Sequence, residues 1–309
     1  VIQKDWNTDR DRSLNHGTEV VSSILTGNNK KITKDIRRVC AILNALEETT
    51  SERCGAHVHI GAKYLKSMQS LRNLAEIWSN AEKILYTISN KEGEIPRDGI
   101  IDYAVPISGD IEEALDVGAE ILDEDIEEFL KDVQENKYYS INFLNIGDKK
   151  KNTIEFRTPN GTIDPDIWIE NINLFGGIMK ASEDLSKIQK TKNKNRNSKE
   201  QKMLDNFEKL KDKEIDERQR LEILLYLAIP NNENRQIYIN RYEKNKDLLE
   251  QDENIAGIIN RNTAKKPISL NKIGKKVFIG KDAITGQEYE QASRIIEIDL
   301  QRQINNLER

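Results

Sequence analysis

The chain has 309 residues, enough for one large domain or for one domain with an appendage. Hydrophobic residues make up 37% and charged residues 33%, so a modest core and a wet surface are expected. A formal charge of −5 argues against a general nucleic-acid binder, two cysteines cannot build a disulfide framework, and no apolar run approaches the ~20 residues that span a membrane.

A cytoplasmic location is the expectation. The first residue is Val and no charged-then-apolar leader opens the chain, so a fragment or a processed form is also expected.

After a polar, turn-rich opening, "EVVSSIL" (19–25) reads as a strand, β-branched and bounded by Gly17 and Gly27. Residues 32–48 carry apolar side chains at spacings of three and four and predict a helix capped by Thr33. "AHVHIG" (56–61) predicts a short strand. Residues 67–89 predict a long helix capped by Ser67, with Leu71, Leu74, Ile77, Trp78, Ala81 and Leu85 as its buried stripe.

Residues 110–135 alternate acids with Ile111, Leu115, Ile121, Leu122, Ile126, Phe129 and Leu130, predicting an acidic amphipathic helix or helix pair. Two strands, 138–146 and 152–159, are expected to form a hairpin around the Lys-rich turn 147–151. Pro165 then sits near the start of a helix reaching about Lys187, where proline is tolerated.

The basic, polar stretch 188–200 is the expected linker. Helices are predicted at about 199–212, 215–228, 234–251 and 288–308. Residues 262–287 look irregular, with a short strand at "KKVFIG". The expected division is a core over 1–187, a linker over 188–200 and a helical region over 201–309. Strands not strictly alternated with helices indicate an α+β fold.

The chain has three histidines, and two stand one residue apart in "RCGAHVHIGA". In a strand, side chains at i and i+2 share a face. His57 and His59 therefore point together, opposite Val58 and Ile60. Glu155 and Arg157 pair in the same way, opposite Ile154 and Phe156. Glu19 leads an apolar strand, and Asn142 alternates with Ile141 and Phe143.

In one sheet, with helices over the apolar side, the other face would gather two imidazoles, two carboxylates, an amide and a guanidinium. Carboxylates with imidazoles bind cations. An arginine beside cations calls for an anion such as phosphate or carboxylate. Divalent metal, phosphate and arginine together point to nucleotide phosphate chemistry. The competing reading is the wet side of an antiparallel sheet.

The blocks "TEVVSSIL", "CGAHVHIG", "LRNLAEIW" and "NTIEFRTPNGTID", in this order, resemble the amidoligase family of the glutamine-synthetase-like carboxylate–amine ligases. The resemblance covers about residues 5–185. It implies a curved, mostly antiparallel sheet with helices on its outer face, followed here by a helical C-terminal region. It implies ATP and two or three divalent cations, Mg²⁺ or alternatively Mn²⁺. The implied reaction activates a carboxylate as an acyl phosphate, which an amine attacks to form an amide, on small-molecule or peptide substrates.

By that resemblance Glu19, His57 and Glu155 are metal ligands, His59 meets the nucleotide phosphates, and Arg157 holds the phosphate or substrate carboxylate. Arg97 is a further phosphate contact. A first strand with a Glu-x-Glu pair is expected upstream of Val1. Two alternatives stay open: a non-catalytic scaffold descendant of the fold, and a zinc-dependent hydrolase using His57, His59 and a carboxylate. Cys54 is expected to pack near the site, and His16 to lie on a loop. The C-terminal helices are candidates for a homo-oligomer or protein-partner contact.

Overall fold

In the computed structural model, the structure describes residues 6–11, 17–26, 29–51, 53–116, 125–192 and 195–270. His16, Ile121, Leu122, "KKVFIG" and the helix expected at 288–308 lie outside the described residues. The fold is α+β. No helix of the described residues is long and apolar enough to cross a membrane.

Strands β1 (Trp6–Asp11) and β2 (Gly17–Ser22) form a separate antiparallel pair, followed by helix α1 (Asn29–Ala45). The central sheet contains β3 (Val58–Gly61), β4 (Ile141–Asn142) and β5 (Thr153–Phe156), antiparallel in the order β3-β5-β4. The predicted hairpin therefore exists, but β5 occupies the middle. β4 is only two residues long, and the buried Gln134 side chain covers its other edge. That amide donates to the Ile141 carbonyl at 2.7 Å and accepts from the Phe143 N–H at 2.7 Å.

The apolar side of the sheet is covered by α2 (Met68–Ile88) and α6 (Pro165–Lys190), which pack along each other. Phe156 stacks on Phe175 of α6 with centroids 4.7 Å apart, and Trp78 of α2 tilts against both rings. Ser67 caps α2 as expected, in a reciprocal capping box with Ser70. Asp164 caps α6, and Pro165 occupies its first turn.

Short helices α3 (Ile100–Tyr103), α4 (Ser108–Asp116) and α5 (Ile126–Asp132) lead from α2 to the second strand of the sheet. Beyond α6 follow α7 (Ser198–Leu210), α8 (Glu217–Ala228), α9 (Asn232–Gln251) and α10 (Glu253–Asn262). The basic stretch 188–200 thus holds the last turn of α6 and the capped start of α7, where Asn197 and Glu200 form a capping box.

Phe207, Leu210, Leu224 and Tyr238 share the core that contains Trp78 and Phe156. So do Ile268 and Leu270, held by their backbone: Ile268 exchanges hydrogen bonds of 2.7 and 2.9 Å with the Asn80 amide. Helix α10 has no counterpart among the helices expected from the sequence.

Two adjacent glycines of α6 give opposite expectations. A Cβ on Gly177 would lie 2.0 Å from the Ala228 carbonyl oxygen of α8, whereas one on Gly176 meets nothing within 4 Å. Gly177→Ala is expected to destabilise the fold by about 1–3 kcal/mol through overpacking. Gly176→Ala is expected to stabilise it by about 0.5–1 kcal/mol, because alanine loses less backbone entropy in a helix. Urea denaturation of the two variants checks both signs.

Candidate functional site

The register of the central sheet builds the site. His59 stands directly opposite Glu155 on one side, and Asn142 stands opposite Glu155 on the other. The apolar partners Val58 and Ile141 flank Phe156 on the reverse face. Glu155 is therefore the meeting point of three strands, and its side chain is only 6% exposed.

Its Oε2 accepts from Asn142 Nδ2 at 2.8 Å, and its Oε1 is ion-paired with Arg157 Nη1. The same Oε1 lies 3.4 Å from His57 Nδ1 and 3.6 Å from His59 Nε2, too far for strong hydrogen bonds. His59 Nδ1 faces Thr153 Oγ1 at 3.4 Å.

Among the described residues, the cluster of His, Cys, Asp and Glu that could hold a metal ion is His57, His59 and Glu155. Their ligand atoms lie within 4.8 Å of one another. Two neutral imidazoles and a carboxylate are a recognised catalytic cation set, so these residues fit one divalent cation. Glu19 is outside this cluster. It is exposed on β2, opposite Asp9 in the separate two-stranded sheet.

Arg157 is fixed on three sides. Besides Glu155, its Nε donates to the Tyr103 carbonyl at 2.8 Å, and its guanidinium lies over the Tyr138 ring, 5.6 Å from the centroid. Tyr103 and Tyr138 meet edge to face at 5.4 Å. Sequence reasoning missed both tyrosines. The signal was available only through the register: pairing Ile141 with Phe156 brings the segment before β4, with Tyr138, alongside Arg157.

Arg97 is buried below the strand end. Its Nη1 donates to the Pro159 carbonyl at 2.7 Å and to the Arg157 carbonyl at 3.3 Å, and its Nη2 also donates to the latter. It also lies against Gly55, where a Cβ would come within 2.8 Å of the guanidinium carbon. The small residue before the histidines therefore makes room for Arg97.

Cys54 packs at the same corner: a Cβ on Gly161 would come 2.6 Å from its own Cβ. Burial pushes the Cys40 thiol up to about 11, which leaves it inert as a nucleophile.

Burial, then the positive charges of Arg157 and Arg97, hold the His57 imidazole down to about 2, and burial also lowers His59 despite the attraction of Glu155. Both imidazoles are thus neutral and free to ligate near neutral pH. The consequence for stability has a definite sign. The unfolded chain takes up the His57 proton below about 6.5 while the folded chain refuses it until about 2. Stability is expected to fall as pH drops below about 6.5, by up to roughly 1.4 kcal/mol per pH unit for this group. Thermal melts at pH 7 and pH 5 measure the slope, which should shrink in His57→Asn.

The fold is α+β, and one face of its central sheet carries a candidate cation-ligand cluster beside a buried arginine. More narrowly, the family model described as "putative amidoligase enzyme" matches residues 2–179, and the chain belongs to that family. No curated protein and no solved structure matches the chain.

Proposed function

We propose that this protein is an ATP-dependent carboxylate–amine ligase with a glutamine-synthetase-like sheet. It joins an amino acid or peptide carboxylate to an amine through an acyl phosphate. The reading is supported above all by the convergence of His57, His59 and Arg157 on one oxygen of Glu155, in a chain of the amidoligase family.

The carboxylate oxygen attacks the γ-phosphorus of ATP and ADP leaves. The amine nitrogen then attacks the acyl carbon, phosphate leaves, and the amine gives up a proton. Both steps bring negative groups together. His57, His59 and Glu155 would hold a divalent cation, Mg²⁺ or Mn²⁺, which when bound supplies charge neutralisation. Glu19 is assigned to a further cation, and His59 also to the phosphates.

Arg157 orients the oxyanion, and one such preorganised donor is worth roughly 3–4 kcal/mol of barrier. Arg97 serves the phosphate end by holding the backbone at 157–159. The catalytic core is assigned to 1–187, and the helices after 200 to support or partner contact.

The test measures ADP release with Mg²⁺ or Mn²⁺ across panels of carboxylates and amines, with the amide identified by mass spectrometry. His57→Ala is expected to lower kcat/KM by roughly a thousandfold. ADP release indifferent to every amine would refute ligation.

A second reading, zinc-dependent hydrolysis, is favoured by the two-imidazole, one-carboxylate donor set. Stoichiometric zinc surviving purification, with amide cleavage and no ATP use, would select it.

A further inference from the structure

We propose that Arg157 makes cation binding at His57, His59 and Glu155 conditional on an oxyanion, so that cation and anion enter the site as a pair. The proposal rests on the cation reading above and concerns its regulation. Three observations carry it.

First, the carboxylate oxygen nearest both imidazole nitrogens, Glu155 Oε1, is the one already ion-paired with Arg157 Nη1. A cation bound there has a guanidinium as its immediate neighbour. Second, Arg157 is held in place. Its side chain is 4% exposed, its Nε is tied to the Tyr103 carbonyl, and its face lies on Tyr138.

Third, the pair formed by Glu155 and Arg157 is backed by a second buried guanidinium. Arg97 is 3% exposed, and its guanidinium donates to backbone carbonyls. Lys137 adds a further positive charge at the rim, its Nζ 5.3 Å from the Tyr138 centroid.

A divalent cation entering alone would be placed against buried positive charge, which is unfavourable. An oxyanion placed between the cation and Arg157 neutralises both and uses the planar donor fork of the guanidinium. The anion is a phosphoryl group or a carboxylate, since both present that chemistry. Coupling of this kind is reciprocal.

The experiment titrates Mn²⁺ calorimetrically into the full chain in chloride alone, with inorganic phosphate, and with glutarate, each against a protein-free blank. In the wild type, one of the anions is expected to tighten Mn²⁺ binding by roughly tenfold or more. Tightening by phosphate alone assigns the anion to a phosphoryl group, and tightening by glutarate alone assigns it to a carboxylate. Arg157→Met is expected to bind Mn²⁺ alone more tightly than wild type and to lose the anion effect, whereas Arg157→Lys retains it.

Equal Mn²⁺ affinity in all three wild-type arms overturns the proposal and leaves the cation site standing. A folded Arg157→Met protein that binds Mn²⁺ no better than wild type overturns it in the same way. No Mn²⁺ binding in any arm removes the cation reading and this inference with it. The wild-type arms decide even if Arg157→Met fails to fold.

Discussion

Replacing Glu155 by Ala is expected to abolish cation binding and to lower folding stability by about 3–5 kcal/mol, the usual cost of stranding one partner of a buried ion pair. The stranded partner is Arg157, whose side chain is 4% exposed and fixed between the Tyr103 carbonyl and the Tyr138 ring. Asn142 loses its acceptor as well, in a place where it is 1% exposed.

On the functional side, the two imidazoles would be left without a carboxylate between them, and two neutral nitrogen donors make a weak site for Mg²⁺ or Mn²⁺. Urea denaturation and Mn²⁺ titration measure the two effects separately. Glu155→Gln keeps the volume and an oxygen for Asn142 but not the charge. It should therefore lose cation binding with a smaller loss of stability. A Glu155→Ala protein that still binds Mn²⁺ like wild type would move the cation site elsewhere.

The second large effect lies away from the cluster. Glu82→Ala is expected to destabilise the fold by about 4 kcal/mol, because several buried donors lose their acceptor at once and each orphan costs about 1–3 kcal/mol. The fully buried Glu82 carboxylate accepts from the Ile107 and Ser108 N–H groups, each at 2.9 Å, from Trp78 Nε1 at 3.3 Å and from the Ser140 hydroxyl. Burial raises its pKa, and the surrounding donors oppose that rise.

The link to function runs through Ser140, whose carbonyl accepts from the Arg157 N–H at 2.8 Å. Losing Glu82 therefore loosens the strand that holds the arginine. Beyond the shift in urea midpoint, the variant should show faster hydrogen exchange at Arg157 than at Phe175 in the core. Unchanged stability would mean that water replaces the carboxylate in a pocket the fold closes to it.

Which side chains share a face was legible in the sequence. Alternation in "TIEFRT" separates Glu155 and Arg157 from Ile154 and Phe156, and the structure keeps that separation, with both apolar residues fully buried and stacked toward α2 and α6. The starts of α2 at Ser67 and of α6 at Pro165 were legible too, since capping and proline chemistry are local.

The order of strands was not. Period two specifies faces but not neighbours, so nothing in the chain announced that β5 would lie between β3 and β4 and make Glu155 the common contact of His57, His59, Asn142 and Arg157. Nor could the sequence reveal that Arg97 and Arg157 are tied to backbone carbonyls, because a carbonyl acceptor leaves no side-chain signature. The same holds for Glu19: its strand was legible, but its pairing with Trp6–Asp11 in a separate sheet depends on tertiary partners. Local chemistry sets each element and its faces, while the contacts that bring His57 and His59 to Glu155 join residues about a hundred positions apart.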